Sequence, residues 1–129
     1  MKIRLFADLH YAKGITYGTR QCGQSLLKLQ RILNRLSNAD LLVNLGDALN
    51  EGASPRDNAG NLQAFQAVLA ASGKPVYHVL GNHDTHAFPR PARISSGPEG
   101  GYSFMAGETA CLVLDGNYVK SGLSYYETS

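Results

Sequence analysis

The chain has 129 residues, of which 43% are hydrophobic and 17% are charged, a balance typical of one globular domain rather than a disordered segment. A net charge of +2 without any dense Lys/Arg block excludes the strongly basic profile of a nucleic-acid-binding domain. No apolar run is long enough to span a membrane, and the first one reaches Asp8 too early for a secretory signal. We therefore expect a single domain over residues 1–129 in the cytoplasm. Its two cysteines are expected to be reduced, although one Cys22–Cys111 disulfide stays open.

Apolar runs and amphipathic segments alternate along the first two thirds of the chain. Short apolar runs of β character occupy residues 3–8, 40–47 and 75–82. Between them, apolar side chains at three- and four-residue steps predict helices at 24–36 and 61–73, the second ending at Gly73. This strand–helix–strand–helix–strand order predicts an α/β fold built from two βαβ units that share one parallel sheet.

The composition of the sequence changes after residue 84. Residues 85–101 form a long stretch rich in Pro, Gly and Ser, which predicts a loop. Residues 101–115 predict a β-hairpin with Gly107 and Glu108 at its turn. The full prediction is therefore a βαβαβ parallel sheet followed by a hairpin.

Chemically active side chains follow each of the three predicted parallel strands. In an open parallel sheet, ligand sites lie just outside the carboxyl ends of the strands, so these side chains should meet at one edge. Carboxylate, imidazole and amide groups suit divalent metals such as Mn, Fe and Zn, and a pair of such ions can clamp a phosphate and activate water. The side chains in question are Asp8 and His10, then Asp47, then Asn82, His83 and Asp84.

These three segments resemble the first three motifs of the calcineurin-like metallophosphoesterases. The matching stretches are Asp8-Leu9-His10, Gly46-Asp47 and Gly81-Asn82-His83-Asp84. The resemblance implies an α/β/β/α sandwich, of which this chain is a shortened version, and a site for two divalent ions. It implies that Asp8 and His10 bind the first ion, that Asp47 bridges both ions, and that Asn82 binds the second.

The resemblance also implies a reaction, the hydrolysis of a small-molecule phosphate ester by a metal-bound hydroxide. A phosphodiester is expected rather than a monoester. His83 would lie near the phosphate and protonate the leaving oxygen or stabilise its charge. Asp84 would orient His83, although a plain helix-capping role for Asp84 is equally open.

The later histidine motifs of the family have no counterpart here, since no histidine follows His86. Three explanations stay open: a fragment of a longer protein, a short version completed by His78, His86, water or a second copy, or an inactive remnant. A non-catalytic metal-binding or assembly module is the rival hypothesis to an enzyme. A half-length fold would expose a sheet edge and apolar surface, so we expect a homo-oligomer, in the form of a symmetric dimer.

Several other polar residues have ordinary explanations. His78 lies inside a predicted strand, where a core histidine is the favoured interpretation over a metal ligand. Tyr17 and Arg20 follow the first motif and either contact a substrate phosphate or belong to a solvated loop, the simpler interpretation. The same two alternatives apply to Arg90 and Arg93.

Overall fold

The computed structural model describes residues 1–35, 38–87 and 101–117, with only the backbone described for residues 86 and 87. Its helices and strands confirm the predicted order of a βαβαβ unit followed by a hairpin. A 3-10 turn at Cys22–Gln24 leads into the first helix. The elements are β1 (Ile3–Phe6), β2 (Thr16–Tyr17), β3 (Arg20–Gln21), α1 (Ser25–Arg35), β4 (Leu41–Asn44), α2 (Pro55–Ala71), β5 (Val76–His78), α3 (Asn82–Ala87), β6 (Gly101–Ala106) and β7 (Thr109–Leu114).

A three-stranded parallel sheet in the order β1-β4-β5 forms the centre of the fold. All four residues of the middle strand, β4, are buried, which matches a parallel strand covered on both faces. The edge strand β1 alternates between exposed and partly buried residues, and Leu5 is 62% exposed. The continuous burial that is typical of a parallel strand covered on both faces therefore holds only in the middle of the sheet.

The two helices α1 and α2 cover one face of the sheet. Leu29 of α1 and Phe65 and Leu69 of α2 form a buried cluster, against which Phe6 of β1 packs. Full burial of a side chain such as Phe65 contributes about 1.5–3 kcal/mol to stability. The apolar side chains that the sequence spacing predicted for one face of α1, Leu26, Leu29 and Leu33, therefore belong to this core between the helices and the sheet.

The β6–β7 hairpin covers the opposite face. Leu41 and Val43 of β4 pack against Ala106, and the rings of Tyr77 and Phe104 stack with centroids 3.5 Å apart. Helices, parallel sheet and hairpin thus form successive layers, as expected for a shortened metallophosphoesterase fold.

Three segments differ from the sequence-based prediction. The second helix begins at Pro55, six residues before the predicted start, because the Ser54 hydroxyl accepts a hydrogen bond from the backbone N–H of Asp57 and proline is favoured in the first turn. Residues 16–21, predicted as a loop, contain the β2–β3 hairpin. The predicted loop from residue 85 begins with the last turn of α3, and its residues 88–100 lie outside the described part.

The hydroxyl of Tyr102 closes part of the open edge of β5. It accepts a hydrogen bond from the backbone N–H of His78 and donates one to the backbone oxygen of the same residue, both at 2.8 Å. Burial raises the pKa of the Tyr102 hydroxyl. One side chain of the hairpin layer therefore satisfies two backbone groups that have no strand partner in the described sheet.

His78 itself is a core histidine, as predicted. Its Nδ1 lies 3.3 Å from the amide nitrogen of Asn44, and its ring meets that of Phe65 edge-on. Burial lowers the pKa of His78 to about 4, so the ring is neutral near pH 7.

Cys22 and Cys111 are both unpaired, and none of the described helices is long and apolar enough to cross a membrane.

Candidate metal centre

The loops that follow β1 and β4 run side by side beyond the ends of their strands. Three backbone N–H groups of the first loop donate to carbonyl oxygens of the second: Asp8 to Gly46 at 3.0 Å, His10 to Asp47 at 2.9 Å and Tyr11 to Ala48 at 2.9 Å. The parallel pairing of the sheet thus continues into the loops, and the predicted ligands of the two motifs become neighbours.

The backbone of these ligands is strained. Asp8, His10 and Asp47 have φ angles of 54°, 48° and 52°, and they are the non-glycine residues with positive φ in the described parts of the chain. Such a conformation costs on the order of 1–3 kcal/mol per residue and persists only where the surroundings enforce it. Here the hydrogen bonds between the two loops supply that enforcement.

The third loop presses directly on the second at two glycines. A Cβ atom on Gly81 would lie 2.0 Å from Asp47 Oδ1, and one on Gly46 would lie 2.7 Å from the backbone nitrogen of Gly81. Neither position has room for a side chain. The glycines that precede Asp47 and Asn82 therefore permit a close approach of two loops, which brings the second and third motifs together.

Three side chains lie close together at this edge of the sheet: His10 and Asp47 come from the first two loops, and His83 comes from the first turn of α3. One potential ligand atom each from His10, Asp47 and His83 lies within 4.8 Å of the others. His10 Nε2 is 3.6 Å from Asp8 Oδ1 and 4.0 Å from Asp47 Oδ2. Donor atoms about 2.0–2.2 Å from one ion lie about 3–4 Å apart, so the distances from His10 Nε2 to the Asp8 and Asp47 carboxylates are compatible with a shared divalent metal. The structure places His83 beside His10 and Asp47, and its place near a bound phosphate stays a prediction.

Asn50 orients His10 toward this cluster. Its side-chain oxygen lies 2.9 Å from His10 Nδ1 in a buried contact, and its amide nitrogen lies 3.6 Å from Cys22 Sγ. Because the amide oxygen can only accept, Nδ1 carries the proton and Nε2 keeps a lone pair toward the carboxylates. Sequence reasoning missed Asn50, and its position three residues after Asp47 is the only signal that could have suggested it.

Asp84 is buried and connects the second and third loops. Its two oxygens accept backbone hydrogen bonds from Leu49 and Gly81, both at 3.0 Å. Burial raises the pKa of this carboxyl, while the two N–H donors counteract that rise. A hydrogen bond to the ring of His83, expected from the resemblance, is not among those of the described residues. The orienting role of Asp84 stays a prediction, since its oxygens face the backbone.

Asn82 and His83 are the first two residues of α3. The backbone N–H of His83 donates to Asp47 Oδ1 at 3.0 Å, and its ring meets that of His10 edge-on with centroids 4.8 Å apart. Asn82 begins α3 and is exposed. The side chain of His86, proposed as a substitute ligand, lies outside the described part, as do Arg90 and Arg93.

Comparison with known proteins agrees with this geometry. The calcineurin-like phosphoesterase family matches residues 1–127 of the chain. The crystal structure of a dimetal phosphatase from Danio rerio is similar, with a TM-score of 0.59 and 27% sequence identity over 70% of this chain and 32% of that one. This chain thus spans about a third of the length of that protein, and the search of curated proteins finds no match. The match over nearly all of its residues shows that the chain belongs to the calcineurin-like phosphoesterase family.

Proposed function

We propose that this chain carries a metal-dependent phosphoesterase site that hydrolyses phosphate esters, phosphodiesters in preference to monoesters. The observation that carries the proposal is the convergence of His10 and Asp47, from two loops, and His83, from the start of α3, to within 4.8 Å. Family membership and the likeness to a dimetal phosphatase support a phosphoesterase in general. The preference for diesters and the binding of Mn, Fe or Zn are the finer parts of the proposal.

Each residue of the cluster has a distinct part in this proposal. Asp8 and His10 would hold one divalent ion, Asp47 would contribute to both ions, and Asn82 would contribute to the second. Bound ions would supply Lewis-acid polarisation of the phosphoryl group and an activated water. A ring nitrogen of His83, which is assigned to neither ion, would donate a proton to the leaving oxygen.

The burial of the ligands supports their part in the proposal. His10 is 6% exposed, so its ring is held in one orientation by packing and by Asn50. The side chain of Asp8 is 73% exposed and that of Asp47 is 18% exposed, so the cluster opens to solvent on the side of Asp8. A phosphate ester would approach from that side, while Asp84 and its backbone donors hold the loops behind it.

The test is hydrolysis of bis(p-nitrophenyl) phosphate during a Mn²⁺ titration, together with calorimetric Mn²⁺ binding. Asp47→Asn should abolish turnover and weaken Mn²⁺ binding. The matched variant Asp40→Asn removes one carboxylate outside the cluster and should change neither. Turnover in the wild type that survives in Asp47→Asn would contradict the assignment. Tight Mn²⁺ binding without any turnover would favour the non-catalytic metal-binding module.

Self-association is the second part of the proposal. Leu5, Met105, Leu112 and Leu114 are each at least 60% exposed, and β1 lies at an edge of the described sheet. Exposed apolar side chains and an unpaired strand edge both favour pairing with a second copy. Size-exclusion chromatography with light scattering should give a dimer at micromolar concentration, and a clean monomer would refute this part.

The two unpaired thiols support a reducing, cytoplasmic compartment.

A further inference from the structure

A cavity of about 350 Å³ adjoins the candidate metal centre. Asp8 and His10 of the first motif line this cavity, which extends to the β2–β3 hairpin and the start of α1. Its volume is at the lower end of the range of small-molecule sites, about 300–1,000 Å³. A ligand of roughly nucleotide or sugar-phosphate size would therefore fill it while one end reaches the metal ligands.

Two cationic side chains line the same cavity. Arg20 comes from β3 and Lys28 from α1, and both are exposed to solvent. In the described part of the chain, neither forms an ion pair with a carboxylate, because the ion pairs there all involve His10. Exposed cations that have no acidic partner and share a cavity wall are available for an anionic ligand.

The start of α1 strengthens this positive potential. Ser25, the first residue of this helix, lines the cavity, and the first turn contains no acidic residue. The positive end of the helix dipole therefore acts in the same direction as the two cations. Asp8 is the one carboxylate that lines the cavity, and it belongs to the predicted metal ligands.

From this arrangement we propose that the cavity binds a second anionic group of the substrate, separate from the phosphate that is cleaved. The inference rests on the proposed phosphoesterase function and narrows its substrate class to phosphate esters that carry another phosphate or carboxylate. Arg20 and Lys28 would bind that group, while the metal centre binds the scissile phosphate. The simpler interpretation of Arg20 as a solvated loop residue is thereby replaced by a specificity role.

The test compares two ligands that differ by one phosphate. Thymidine 3′,5′-bisphosphate and thymidine 5′-monophosphate are titrated calorimetrically into the protein in the presence of Mn²⁺. We expect the bisphosphate to bind at least about tenfold more tightly, as charge-assisted contacts to Arg and Lys predict. In the double variant Arg20→Gln/Lys28→Gln this ratio should fall to about one. Both residues are exposed, so the fold should survive, which circular dichroism checks.

Arg35→Gln is the matched control, because it removes one positive charge from the opposite end of the same helix. The ratio of the two affinities should be unchanged in this variant. Equal affinities in the wild type, a ratio that survives in the double variant, or no binding of either ligand would each overturn the inference. Bis(p-nitrophenyl) phosphate has a single anionic group. Its turnover would show that the proposed phosphoesterase function holds even where one of these results overturns the inference.

Discussion

Acidification should destabilise this protein through one partly buried histidine, His78. Burial lowers its pKa from the ordinary value of 6.5 to about 4 in the folded state. The folded protein therefore favours the neutral ring, and the stability that this contributes is fully present above pH 6.5. As the pH falls toward 4, the unfolded chain binds a proton that the folded chain does not, so this stability is lost.

The size of the effect follows from the difference between the two pKa values. About 2.5 units at about 1.4 kcal/mol each correspond to roughly 3 kcal/mol, with a maximal slope of about 1.4 kcal/mol per pH unit. For a domain whose total stability is about 5–15 kcal/mol, this is a large share. The structural cause is the packing of the ring against Phe65 and beside Asn44.

Urea unfolding followed by circular dichroism at a series of pH values between about 4 and 7 measures this contribution. A chelator in every sample keeps metal binding out of the comparison. His78→Gln retains a neutral acceptor for Asn44 but cannot titrate in this range, so other groups cancel when the two proteins are compared. The wild type should lose about 3 kcal/mol more than the variant over the interval. Parallel pH profiles of the two proteins would refute the reasoning.

Three further predictions concern single contacts. Tyr102→Phe should lower the free energy of unfolding by about 1–3 kcal/mol, because it leaves two backbone groups of β5 without their partner; the matched change Tyr17→Phe, at a residue that is 74% exposed, should have little effect, and equal losses would contradict the assignment. Gly81→Ala should reduce Mn²⁺ affinity by at least about tenfold in calorimetry, since its Cβ would clash with Asp47, and wild-type affinity would show that the loops can separate freely. Asn50→Leu should weaken Mn²⁺ binding by about 10–100-fold while Asn50→Asp, which still accepts the Nδ1 proton of His10, retains most of it, and equal losses in the two variants would argue against orientation of the ring.

Much of the fold was predictable because its signals are local. The leucine spacing in α1 and the apolar run of β4 each report the face or faces that the element buries, whatever the rest of the chain does. The early start of α2 was also encoded locally, in Ser54, Pro55 and Asp57, although periodicity alone did not reveal it. The candidate ligands were found because parallel strands deliver their carboxyl ends to one edge of the sheet.

The contacts that shape the site could not be predicted, because they join residues distant along the chain. Asn50 meets His10 across 40 residues, and Asp84 reaches the backbone of Leu49 across 35. Nothing in the local sequence specifies which donor will face a given oxygen once the loops are packed. The positive φ of Asp8 likewise depends on hydrogen bonding between neighbouring loops.

The sequence by itself thus determined the βαβαβ succession and the hairpin that follows it, the family, and the residue types available to a metal. Tertiary structure alone decided that ligand atoms of His10, Asp47 and His83 come within 4.8 Å of one another and that Asp84 faces backbone amides. The physical reason is that secondary structure follows from side-chain periodicity over a few residues. A metal site instead depends on distances of a few ångströms, which are set only when separate loops pack against each other.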